Sequence, residues 1–199
     1  MIARHKISLF PLLLLLMGLV GCKVDSINPI SSFDNAQPDV ALYGVWRYQT
    51  KGELTYVHIG PEFSQSIGDT AAAANKRTRI ILVDHKPNGI TDEAHVAHGS
   101  RVGKQRYLNV VQVEEGKPVG FVFVQYTLID NNTLRFSTIN DEVLKAAISA
   151  GRIKGTIRGE GAVSETAITA ESGEIEKFLR HDGGKLFAKS VVLRRVPGH

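Results

Sequence analysis

Alternation of apolar and polar positions begins near Ala41 and continues, punctuated by turn residues, to the carboxyl-terminal region. In Leu42-Tyr43-Gly44-Val45-Trp46-Arg47-Tyr48-Gln49 the even positions carry Leu, Gly, Trp and Tyr, while the odd ones end in Arg47 and Gln49. Successive side chains of a strand point to opposite faces, so this pattern predicts a strand with one buried and one wet face. Lys51-Gly52 turns the chain into a second strand, Glu53 to Ile59. The run RIILVDH over 79–85 precedes Pro87-Asn88-Gly89, where Asn-Gly supplies the positive φ of a tight hairpin. Further strands are predicted at 90–97, 105–114, 119–129 and 133–139, divided by turns at 115–117 and 130–132. Strands joined in succession by short turns predict an antiparallel meander.

Two segments break the alternation. Gly120-Phe121-Val122-Phe123-Val124 is apolar on both faces, which predicts a central strand covered on its second side. A helix over 141–150 can supply cover: Asn140 reads as its N-cap, Asp141 and Glu142 suit its positive end, and Val143, Leu144, Ala147 and Ile148 form one stripe. A second short helix is predicted over 173–181, capped by Ser172 and stopped by Gly183-Gly184. Strands near 153–158, 162–170 and 186–196 complete a mainly β fold, a barrel or a strongly curved sheet carrying two short helices.

The amino-terminal region follows neither pattern. Arg4 and Lys6 precede an apolar run from Ile7 to Gly21, interrupted by Pro11 and shorter than the roughly 20 residues of a transmembrane helix. A basic start, a short apolar run and small residues before a cleavage point are the parts of an export signal. Leu19-Val20-Gly21-Cys22 resembles the lipobox of bacterial lipoproteins, and Cys22 is the one cysteine of the chain. The resemblance implies cleavage between Gly21 and Cys22, diacylglycerol (and palmitate) on the Cys22 thiol, and a membrane-anchored product. Lys23 after the cysteine resembles the type sorted to the outer membrane, where the domain would face the periplasm. The domains expected are a signal peptide over 1–21, a lipidated cysteine and flexible tether over 22–40, and one β-rich domain over 41–199. The polar stretch 23–40, with Pro29 and Pro38, would reach on the order of 25 Å.

Composition narrows the chemistry. With one cysteine, no disulfide forms within the chain, so stability rests on packing. The net charge is +4, but Arg4 and Lys6 leave with the signal, bringing it to +2, a weak case for nucleic acid. His85, His95 and His98 invite a metal reading, but His95 and His98 are three apart on a strand and point to opposite faces. The adjacent carboxylates Asp92-Glu93, Glu114-Glu115 and Asp141-Glu142 likewise diverge. Lys76-Arg77-Thr78-Arg79 reads as a solvated rim able to meet anionic headgroups. The connection from Pro61 to Asn75 is long enough for a binding loop or a short helix. No GxSxG, GxGxxG or P-loop occurs, so no catalytic residue, metal or cofactor is expected.

Gly44-Val45-Trp46 is similar to the Gly-x-Trp of lipocalins. That resemblance implies a barrel whose closed end is plugged by the tryptophan, with an arginine of the last strand, here Arg194 or Arg195, packed over its ring. Trp46, Tyr48, Tyr56, Phe121 and Phe123 would then line the interior or floor. The function expected is a non-enzymatic, lipid-anchored envelope protein whose β domain binds a small apolar ligand. The alternative is an envelope assembly or interaction module with a filled core and no cavity.

Overall fold

The computed structural model describes residues 25–50, 52–62, 76–159 and 165–198. The apolar amino-terminal segment with Gly21 and Cys22 lies outside these residues, as does most of the connection over 61–75. Strands β1 (Gly44–Thr50), β2 (Glu53–Pro61), β3 (Arg77–Lys86), β4 (Gly89–Val102), β5 (Gln105–Glu114), β6 (Lys117–Asp130) and β7 (Thr133–Thr138) follow one another as an antiparallel meander. Helix α1 (Asp141–Ser149), the hairpin β8 (Gly155–Arg158)–β9 (Glu165–Ile168) and helix α2 (Ser172–Leu186) then leave the wall. The chain returns as β10 (Lys189–Arg195), which pairs with β7 (Val191↔Phe136) and with β1 (Trp46↔Arg195). This double pairing makes an eight-stranded closed barrel of lipocalin-like architecture. The helices do not prevent closure, because their excursion packs outside the barrel.

Two cores meet across one wall. Inside, Trp46, Val57, Leu82, Leu108, Val122, Val124, Leu134 and Leu193 are buried. Outside, Tyr107 and Phe123 are buried against Leu144 and Ala147 of α1 and Ile175, Phe178 and Leu179 of α2. The two-faced Gly120–Val124 run therefore serves both cores, and each fully buried large side chain contributes on the order of 1.5–3 kcal/mol.

Asn140 caps α1, its Oδ1 accepting from the Glu142 N–H. Helix α2 differs from its expected limits at both ends. Glu171 is the N-cap, in a capping box with Glu174, while the Ser172 hydroxyl donates instead to the Pro29 carbonyl at 2.7 Å. Gly183-Gly184 does not stop the helix, which runs on to Leu186. Gly183 is buried against Tyr107, and a Cβ there would stand 3.3 Å from the phenol oxygen, so glycine here permits close helix–barrel approach.

Residues 25–40 are not a free tether. The Asp25 and Ser26 N–H groups donate to the Phe121 carbonyl at 2.9 and 3.1 Å, and the Asp25 carboxylate accepts from the Phe123 N–H. Ile27 N–H donates to the Ile168 carbonyl, so this piece of chain bridges β6 and β9. Ile30 is fully buried, and its N–H donates to Asn109 Oδ1 at 2.8 Å. One apolar anchor and a set of directed hydrogen bonds hold a segment that has no periodic pattern. The working domain thus includes the described residues from Asp25 onward.

Candidate functional site

The end of the barrel at which β1 begins is closed. Trp46 is fully buried, its Nε1 donates to the Leu42 carbonyl at 2.8 Å, and the Arg195 guanidinium lies 4.1 Å from the ring centroid. Arg195 also donates to the carbonyls of Asn131, Tyr43 and Ala41, each at 2.7 Å. Arg194 faces outward and bonds Thr133 instead. Asp39 adds a second tie, accepting from Arg106 Nη1 at 2.8 Å and from the Tyr126 hydroxyl at 3.0 Å. Burial and the Asp39 charge push the Tyr126 phenol well above its ordinary range.

The opposite end is open on one side. The β4–β5 ladder runs only between Ala97↔Val110 and Val102↔Gln105. Beyond it, residues 89–96 of β4 pair with β3 alone, and residues 111–114 of β5 pair with β6 alone. Continuing the register would set Glu93 opposite Glu114 and Asp92 opposite Glu115. Like charges directly opposite one another destabilise a strand pair, which gives a physical cause for the parting. A bulge where Gln112 pairs with Gly120 but Val113 with Pro118 turns the end of β5 further.

A cleft of about 720 Å³ occupies this gap. Its outer part is walled by Pro29 and Phe33 of the amino-terminal segment and by Val111 and Phe121. Ala94, Val96 and Val113 line the parted edges. The inward-facing Glu93, His95, Gln112 and Glu114 form its polar end. Ile90 and Val113, at 65% and 56% exposure, leave apolar surface near the rim. His98 lies edge-on between Phe33 and Phe121, with centroids 5.7 and 5.9 Å away, and its Nε2 meets the Ser31 carbonyl at 3.1 Å. Burial lowers the His98 pKa more than the Ser31 carbonyl raises it, so the ring favours its neutral form. Arg77 stacks over Phe33 at 5.2 Å and faces Glu62.

Of the aromatic residues expected to line a ligand site, Phe121 alone borders this cleft. Phe123 faces the helices, Tyr56 faces outward edge-on to His85, and Tyr48 packs half-buried on the inner core. Trp46 belongs to the closed end. Sequence reasoning missed this group: it takes Glu93 and Glu114 only as members of diverging carboxylate pairs, His95 only as a candidate metal ligand, and gives Gln112 no role. The signal that would have found them is the register, which sets two acidic pairs face to face. Among the described residues no three His, Cys, Asp or Glu side chains are grouped to hold a metal ion.

These features define a lipocalin-like barrel with one sealed end and a lateral cleft in its wall. No protein-family model, curated protein or solved structure matches the chain.

Proposed function

We propose that this chain is a lipid-anchored bacterial envelope protein whose barrel holds a small apolar ligand in the cleft between β4 and β5. The anchor rests on the lipobox resemblance at Leu19-Val20-Gly21-Cys22, and an outer-membrane position facing the periplasm rests on Lys23. The observation that carries ligand binding is the cleft: about 720 Å³ lies within the range of small-molecule sites, and apolar side chains make most of its wall. Trp46 and Leu108 belong to an apolar cluster buried inside the barrel, and the ligand on this reading enters through the gap in the wall.

The test is fluorescence titration with the neutral probe N-phenyl-1-naphthylamine. Wild-type protein is expected to bind it saturably at micromolar concentration, and Val111→Trp, which fills the cleft, should weaken binding at least tenfold. Absence of saturable binding, or equal binding by both proteins, would favour the alternative, an interaction module with a filled core. That second reading is supported by the apolar cluster buried inside the barrel.

A further inference from the structure

We infer that the cleft selects a cationic amphiphile, an alkylammonium-type head on an apolar tail. The inference rests on the ligand-binding reading above and names the chemistry of its ligand. Two carboxylates, Glu93 and Glu114, line the cleft at positions that an unbroken ladder would bring face to face, with Asp92 and the turn residue Glu115 next to them in the chain. Lys117, the register partner of Glu114, is the lysine at this end of β6, and it forms no ion pair among the described residues. His95 Nε2 lies 3.1 Å from Glu93 Oε1 without the alignment of a hydrogen bond. Arg77 lines the outer part of the cleft, over Phe33 and against Glu62, on the Phe33 side and not at the acidic end. The parted edges therefore carry an excess of negative charge, which a cation placed between them would relieve.

A second observation points into the same space. Gln112 is 8% exposed, lines the cleft, and its Nε2 has no hydrogen-bond partner. A buried amide donor left unmade costs free energy, so a native donor in this state calls for an acceptor supplied from outside the chain. The ligand that satisfies all of these groups has an ammonium between Glu93 and Glu114 and a hydroxyl or carbonyl oxygen close by for Gln112. Its alkyl part lies along Val96, Val111 and Phe121 towards Phe33. The recognition is charge plus one hydrogen bond at the polar end, and shape along the rest.

The experiment displaces N-phenyl-1-naphthylamine from the full chain at pH 7 with monomeric dodecylamine, dodecanoate or dodecanol. Dodecylamine should displace the probe at about tenfold lower concentration than either of the others, and high salt should erase the difference. Glu93→Gln with Glu114→Gln should bring the three within about threefold of one another. Gln112→Leu should weaken 1-amino-2-dodecanol, whose hydroxyl accepts from the amide, several-fold more than dodecylamine. Dodecanoate displacing as well as dodecylamine would overturn the inference while leaving the cleft reading intact. So would a double variant that keeps the wild-type ranking. Loss of all probe binding in the double variant would also overturn it, by showing that the carboxylates hold the strands apart and do not read a head. Failure of the wild-type chain to bind the probe removes the cleft reading and this inference together.

Discussion

Separate and joint replacement of Trp46 and Arg195 measures how the barrel is sealed. Trp46→Ala removes a fully buried indole and should cost about 3–5 kcal/mol. Arg195→Met keeps a straight side chain but loses the guanidinium. Two of its three acceptors, the Asn131 and Ala41 carbonyls, are solvent-exposed and would turn to water, whereas the bond to Tyr43 is partly buried. One such bond to a charged donor is worth about 1.5–3 kcal/mol. The cation over the indole at 4.1 Å adds about 0.5–2 kcal/mol. The single Arg195 variant should therefore lose about 2–5 kcal/mol and melt roughly 4–20 °C lower. Because the stack can be lost only once, the double variant should be more stable than the sum of the single losses predicts, by about 1–2 kcal/mol. Urea unfolding of the four proteins gives this coupling directly. Additivity within about 0.5 kcal/mol would refute the claim that the arginine is held by the ring, and would leave Arg195 as a clamp on carbonyls alone.

Adjacent glycines in α2 should respond in opposite ways. Gly183→Val drives a branched side chain into Tyr107 and should destabilise by about 1–3 kcal/mol, while Gly184→Ala meets nothing and should stabilise by up to about 1 kcal/mol; thermal melts distinguish them. His98 makes stability depend on pH. Its folded pKa lies below the ordinary value, so the unfolded chain binds more protons near and below pH 6.5, and stability present above that pH is lost as pH falls. His98→Gln should flatten the slope of unfolding free energy between pH 7 and pH 5; an unchanged slope would show that His98 does not set it.

The barrel was legible because strand alternation repeats. The same pattern that placed Trp46 inward places Val57, Leu82, Leu108 and Leu193 inward, and the two-faced stretch around Val122 predicted the second layer. Closure was signalled by the Gly44-Val45-Trp46 resemblance and not by the alternation. It depends on β10 pairing with both β7 and β1 after an excursion of two helices and a hairpin, a long-range event without a signature in the alternation. The α2 limits were misread because a Gly-Gly pair commonly ends a helix, whereas here one glycine is used for close packing. Glu171 and Glu174 did carry a readable capping box. The cleft was hidden for a different reason: each acidic pair reads as ordinary surface charge until the register aligns them.

The docked amino-terminal segment joins two features that the sequence kept apart. A polar stretch with prolines reads as a leash, yet one buried Ile30 and one buried Asn109 in the middle of an apolar strand change its role. The Asn109 amide donates to the His98 carbonyl at 3.1 Å and to Ser100 Oγ at 2.8 Å while its oxygen receives Ile30, so its position is fixed from both sides. Pro29 and Phe33, on either side of Ile30, are thereby held as a wall of the cleft. Lys23 and Val24 are the two residues between Cys22 and Asp25, and at full extension this spans only about 11 Å. A lipid on Cys22 would therefore hold the barrel against the bilayer on the side where Asp25 meets Phe121, itself a cleft residue. An amphiphile leaving that membrane would need little travel to reach the apolar rim at Ile90 and Val113. On the proposed function, Asn109→Leu, which loosens the tie on Ile30, should weaken N-phenyl-1-naphthylamine binding in titration although Asn109 does not line the cleft, and unchanged binding would separate the segment from the site.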